Sequence, residues 1–127
     1  MNIIITLPSN IKWEEYEKEL EEVKDGKNVL NFKVSNFPKL SNVGNKCYLN
    51  YKGNIIGWMY ITGLSEKEFK CDVTSKIWNG KFIERSGKFN KINPIPMKGF
   101  QGFRYFNLNE NILSYTSYIN VAENNIY

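Results

Sequence analysis

The stretch "VGNKCYLNYKGNIIGWMYITG", residues 43–63, carries the reading of the fold. Two runs rich in aromatic and β-branched residues flank Lys52-Gly53-Asn54, a glycine turn of hairpin length, so the segment predicts a pair of antiparallel strands. Upstream, Asn2 to Thr6 is another β-branched run, stopped by Leu7-Pro8-Ser9. From Ile11 to Val23 the period changes. Trp13, Tyr16, Leu20 and Val23 recur at intervals of three and four, which predicts an amphipathic helix with Ser9 as its N-cap and Asp25-Gly26 as its end. Val29 to Val34 reads as a strand with Leu30, Phe32 and Val34 on one face, broken by Asn36-Phe37-Pro38. Beyond the hairpin, Glu66 to Val73 reads as a further strand or an irregular connection, and strands are expected at Lys81–Arg85, Gly102–Phe106 and Ile112–Ile119. Many short strands with glycine turns and one early helix predict an α+β fold, a small curved or closed β-barrel. The 127 residues suit one domain spanning 1–127, with 107–127 a C-terminal strand or extension.

A hydrophobic fraction of 42% beside 24% charged residues describes a folded chain with a real core. The chain has no histidine and two cysteines, Cys47 and Cys71. Histidine acid–base chemistry is therefore excluded, and neither a zinc site nor a cofactor is expected. Both thiols are expected to be free, with Cys47 and Cys71 filling the core. The N-terminal sequence has no signal-peptide pattern and no apolar run has membrane-spanning length, so the sequence predicts a cytoplasmic protein with no membrane contact.

The net charge of +4 is unevenly laid out. In residues 1–25 three lysines oppose seven carboxylates, net −4, whereas in residues 76–104 seven cations oppose Glu84 alone, net +6. Such segregation offers an anionic ligand one attractive side, provided that folding keeps the two signs apart.

The order of strand, helix, glycine, strand and hairpin, with Gly26-Lys27-Asn28-Val29-Leu30-Asn31-Phe32-Lys33 between helix and strand, resembles the PUA-like barrel superfamily, and within it the ASCH domains. Their motif in this place is G-x-K-x-x-E-x-R. Here Asn28 stands where those domains have lysine, Asn31 where they have glutamate and Lys33 where they have arginine. The resemblance spans about residues 1–106 and implies a small barrel with a cleft for RNA, a nucleotide or a modified base. Some ASCH proteins resemble hydrolases that work through the motif's lysine and glutamate. Asparagine at two of these positions supplies neither a proton-transfer group nor a carboxylate, which moves the expectation from catalysis to binding.

The cationic half repeats one grammar, with glycine, phenylalanine and a cation together in Gly80-Lys81-Phe82, Gly87-Lys88-Phe89, Lys98-Gly99-Phe100 and Gly102-Phe103-Arg104. Glycine admits a ligand to the backbone, an aromatic ring stacks on a base and a cation meets phosphate. Candidate ligand-binding residues are Asn31, Lys33, Trp78, Lys81, Arg85, Lys98, Gln101 and Arg104. Trp78 is expected in a loop, and Trp58 in the core. "PIPMKGFQGF", residues 94–103, is expected as a loop bordering the cleft, with Phe103 and Arg104 pointing to opposite sides. Were the chain an enzyme, a ribonuclease or nucleoside amidohydrolase without histidine, Lys81 and Glu84 would be its acid–base pair. A plain salt bridge from Glu84 to Arg85 or a lysine is the competing structural reading. The leading expectation is a binding module for nucleic acid, nucleotide or a modified base, and the third is a protein–protein interaction or inhibitor module.

Overall fold

The computed structural model describes residues 1–70 and 75–108. Seven strands and one helix follow in the order β1 (Ile3–Thr6), α1 (Trp13–Glu22), β2 (Leu30–Val34), β3 (Lys46–Tyr51), β4 (Asn54–Lys70), β5 (Ile77–Arg85), β6 (Asn90–Pro96) and β7 (Phe103–Tyr105). The strands hydrogen-bond in the order β2-β5-β4-β3-β1-β7, with β6 paired to β4 off this path. All pairings are antiparallel except that of β1 with β3. This is the expected α+β class, a curled half-barrel of sheet with one early helix. The segment between β2 and β3 bridges the two ends of the curl, where Leu40 N donates to Tyr105 Oη of β7 at 3.1 Å.

Strand β4 causes the curl. The sequence suggested a hairpin strand ending near Gly63 and a separate piece from Glu66, but the chain runs on as one strand from Asn54 to Lys70. Its first half pairs with β3 and β6 and its second with β5, and the register shifts between Ile61 and Gly63. Such a bulge bends and twists a strand without ending it. A side chain at Gly63 would also strike the Glu84 carboxylate. Glycine thus permits close approach here, where sequence alone suggested a stop.

Three other expectations need correction. Helix α1 begins at Trp13, with Lys12 at the N-cap and no side-chain cap hydrogen bond. Ser9 therefore lies before the helix, in a turn where Ile11 N donates to Pro8 O at 3.1 Å. Trp78 lies inside β5, which starts at Ile77 and not at Lys81. Pro94 and Pro96 belong to strand β6, not to a loop; the loop comprises residues 97–102. β6 tolerates prolines because its ladder with β4 is interrupted between Ile55 and Gly57, opposite the segment that holds Pro94. The strand expected at Ile112–Ile119, the extension beyond 108 and Cys71 lie outside the described residues.

The inner face of the sheet packs on α1. Ile3, Ile5, Cys47, Leu49, Met59, Ile61 and Ile83 are fully buried there against Tyr16, Leu20 and Val23. Burying each such aliphatic side chain stabilises the fold by roughly 1.5–3 kcal/mol. Trp13 closes one end, 5.8 Å from Tyr16 and 5.5 Å from Tyr51. The outer face carries a second cluster of Ile4, Tyr48, Ile55 and Phe106, with Trp58, Ile92, Ile95 and Phe100 half-buried around it. Among the described residues no helix is long and apolar enough to cross a membrane.

Candidate functional site

Side chains of residues paired across a ladder share a face. On β5 the even-numbered Trp78, Gly80, Phe82 and Glu84 face outward, while Lys81, Ile83 and Arg85 face α1. Register then adds their neighbours. Asn31 and Lys33 of β2 stand opposite Glu84 and Phe82. Beyond the bulge, Gly63, Ser65, Lys67 and Phe69 of β4 stand opposite Glu84, Phe82, Gly80 and Trp78. Five of the expected ligand residues and Glu84 are thereby sorted: Asn31, Lys33, Trp78 and Glu84 meet on the outer face, and Lys81 and Arg85 do not.

At the centre of this patch, Glu84 Oε2 accepts from Ser65 Oγ at 2.9 Å and from Lys67 Nζ in a short ion pair. Burial pushes the Glu84 carboxyl up, but the hydrogen bonds from Lys67 and Ser65 and the lysine's charge outweigh it and hold the pKa below the ordinary value. Glu84 is therefore an ionised acceptor whose partner is Lys67, not Lys81 or Arg85. Asn31 Oδ1 is buried without a hydrogen-bond partner among the described residues. Four residues before Glu84 on β5, Gly80, at φ +132, has the Lys33 side chain lying across it.

Cations and rings are interleaved over the whole outer face. Lys46 Nζ lies 4.3 Å from the Trp58 ring, Lys76 Nζ 4.8 Å from Trp78, Lys67 Nζ 5.4 Å from Phe69 and 5.9 Å from Phe82. At the far end of the sheet, Arg104 stacks 4.6 Å over Phe100. Each falls within the roughly 6 Å reach of a cation–π contact. Trp58, half-buried and not in the core proper, meets the exposed Tyr60 edge-on at 5.0 Å. The acidic residues of α1 flank a helix packed on the opposite face. The charge segregation of the sequence survives folding only in part, because Lys88 and Lys91 line a cleft with Glu17 and Glu21 of α1, and Lys81 and Arg85 also lie on the helix side.

The remaining expected residues sit elsewhere. Arg85 is 2% exposed, beneath α1, where Nη1 donates to Tyr16 Oη at 3.1 Å and Nε has no partner among the described residues. Burial opposes its charge, but Tyr16, Cys47 and Glu19 favour it and the pKa lies above the usual value. The guanidinium is a core group and meets no ligand at the surface. Burial pushes the neighbouring Cys47 thiol up to about 11, which keeps it protonated and inert. Lys81 Nζ lies 5.8 Å from the Phe37 ring on the inner side. Lys98 and Gln101 are exposed on the loop of residues 97–102, and Gln101 lines a small cleft with Thr6, Ser9, Lys52 and Phe100. Arg104 pairs with Ile4 on the outer face, whereas Phe103 joins the inner core.

Sequence reasoning passed over Ser65, Lys67 and Phe69. The signal was present in "SEKEFK", whose alternation puts those three on one face and Glu66 and Glu68 on the other. Among the described residues no group of three or more histidine, cysteine or acidic side chains is placed to hold a metal ion. In comparison with known proteins, no family model, curated protein or solved structure matches the chain.

Proposed function

We propose that this chain is a binding module that holds RNA, or a nucleotide or modified base, on the outer face of its sheet. The observation that carries the reading is the row of aromatic rings, each with a cation beside it, spread from Phe100 through Trp58 to Trp78 on one face. Rings give bases a stacking surface and cations draw in the phosphates, the combination by which open sheet faces take up single strands. The acidic helix repels the same ligand from the opposite side. A curled sheet with one helix against its inner face also fits the PUA-like, ASCH-type barrel that the motif at Gly26–Lys33 resembles. Binding is favoured over catalysis by the state of Glu84, since a carboxylate held ionised by Lys67 is a weak base at neutral pH.

The test is a titration of the full chain with a labelled single-stranded RNA at several salt concentrations, repeated for Tyr60→Ala and Trp78→Ala. A stacked base is worth roughly 1–3 kcal/mol, so each variant is expected to weaken binding about five- to a hundredfold at unchanged melting temperature. A steep salt dependence marks a polymer ligand and a shallow one a free nucleotide. Affinity that ignores both substitutions and salt would overturn the proposal.

A further inference from the structure

We infer that the cleft between the β1–α1 connection, the β3–β4 turn and the loop of residues 97–102 takes the terminal phosphomonoester of a nucleic-acid strand; this rests on the RNA-binding reading above and names the part of the strand that is held. The cleft has a volume of about 490 Å³, within the roughly 300–1,000 Å³ of ligand pockets. No acidic residue is among the described residues that line it. Its polar side chains are the Thr6 and Ser9 hydroxyls, the Lys52 ammonium and the Gln101 amide, and every one of them can donate. Thr6 Oγ1 accepts from Phe100 N at 3.2 Å, which leaves its own proton to be given to a ligand. The walls are tied to one another before anything binds. Met97 N donates to Gly53 O at 2.9 Å and Asn50 Nδ2 to Met97 O at 3.0 Å, and with the Phe100–Thr6 bond these join loop, turn and β1. A site ordered in advance loses little entropy when it is filled.

Donors and a cation without a carboxylate select an anion that carries several acceptor oxygens. A phosphomonoester at neutral pH has roughly −1.5 to −2 charge and three terminal oxygens, whereas the diester within a strand has a single charge and two. The place of the cleft points to a strand end. Phe100 is the last ring of the row along the outer face, with Arg104 4.6 Å over it, and it also forms one wall of the cleft. Thr6 opens to that same face, because β1 alternates and its Ile4 belongs to the outer cluster. A strand lying along the row with its bases on the rings brings its last phosphate past Phe100 into the cleft, and Arg104 is placed to meet the diester before it.

The experiment titrates the full native chain, by fluorescence anisotropy, with uridine hexamers labelled on a central base and bearing a 5′-phosphate, a 3′-phosphate or hydroxyls at both ends. One of the two phosphorylated hexamers is expected to bind about tenfold tighter than the hydroxyl-ended one, the gain of a charge-assisted hydrogen bond. Ser9→Ala and Gln101→Ala leave the net charge unchanged, so each should shrink that preference while the affinity for the hydroxyl-ended hexamer stays the same. Lys52→Asn should abolish it, asparagine being a residue that tolerates the positive φ of 48° at this turn position. Melting temperatures are recorded for all three variants, and the comparison of hexamers needs no variant at all. Uridine monophosphate as competitor tests the other source of the same group: displacement at the hexamer's own affinity would assign the cleft to a free nucleotide and overturn the strand-end inference. Equal affinity for the three hexamers, or a preference that survives all three substitutions, overturns it too while leaving the binding module standing. Failure of every hexamer to bind overturns both.

Discussion

Replacing Tyr16 by phenylalanine removes one oxygen from the core and should destabilise the protein more than replacing the whole charge it serves. Tyr16 is 4% exposed and its hydroxyl is the acceptor for Nη1 of Arg85, itself 2% exposed. Nε of that guanidinium already lacks a partner among the described residues. Loss of a hydrogen bond to a buried charge costs about 1.5–3 kcal/mol, because the charge stays behind without it. For a chain of this size that corresponds to a melting temperature lower by roughly 5–10 °C. Arg85→Met removes the charge, the orphaned nitrogen and the desolvation together, so its stability should stay within about 1 kcal/mol of the native chain or exceed it. In the Arg85→Met background Tyr16→Phe should then cost well under about 1 kcal/mol, because the hydroxyl no longer serves a cation. Urea denaturation of the four proteins measures the coupling. Additive effects, or an Arg85→Met loss larger than that of Tyr16→Phe, would refute the account of Arg85 as a buried charge held by Tyr16. Because that side chain lies under α1, Arg85→Met should also leave RNA affinity unchanged.

Gly57→Ala is expected to destabilise by about 1–3 kcal/mol through overpacking, since the new methyl would lie 2.6 Å from the Asn90 backbone oxygen and against the Phe89 ring; urea midpoints measure it, and a neutral result would contradict the close approach of β6 to β4. The Glu84 carboxyl has its pKa lowered by folding from an ordinary 4.5, so its contribution to stability is complete above that value and is lost as pH falls through the lower, folded one. The stability gap between the native chain and Glu84→Gln should therefore narrow as pH falls below the ordinary 4.5, and a gap that does not change with pH would show that the Lys67 ion pair contributes nothing.

Local periodicity made much of this fold legible. The three-and-four spacing of Trp13, Tyr16, Leu20 and Val23 specifies a helix that buries one face, and the glycine turn at residues 52–54 specifies the hairpin of β3 and β4. Both depend on residues within a turn or two of one another, so the physics that forms them is present in the sequence itself. The acidic outer face of α1 was legible as well, because an amphipathic helix must turn its glutamates away from the sheet that it covers.

The site was legible by residue type and not by grouping. Glu84 and Trp78 stood out in the sequence, but their partners Lys67 and Ser65 come from a strand whose continuity depends on a bulge at Ile61–Gly63. Strand alternation has a period of two, so one inserted residue reverses which side chains face outward, and no local pattern records that reversal. The same parity separates Lys81 and Arg85 from Glu84, their near neighbours in the chain. The sequence by itself therefore determined the helix, the hairpin and the sign of each region. The tertiary structure decided which cations lie beside rings, which carboxylate is paired and which arginine is buried, because those outcomes depend on register between strands far apart in sequence.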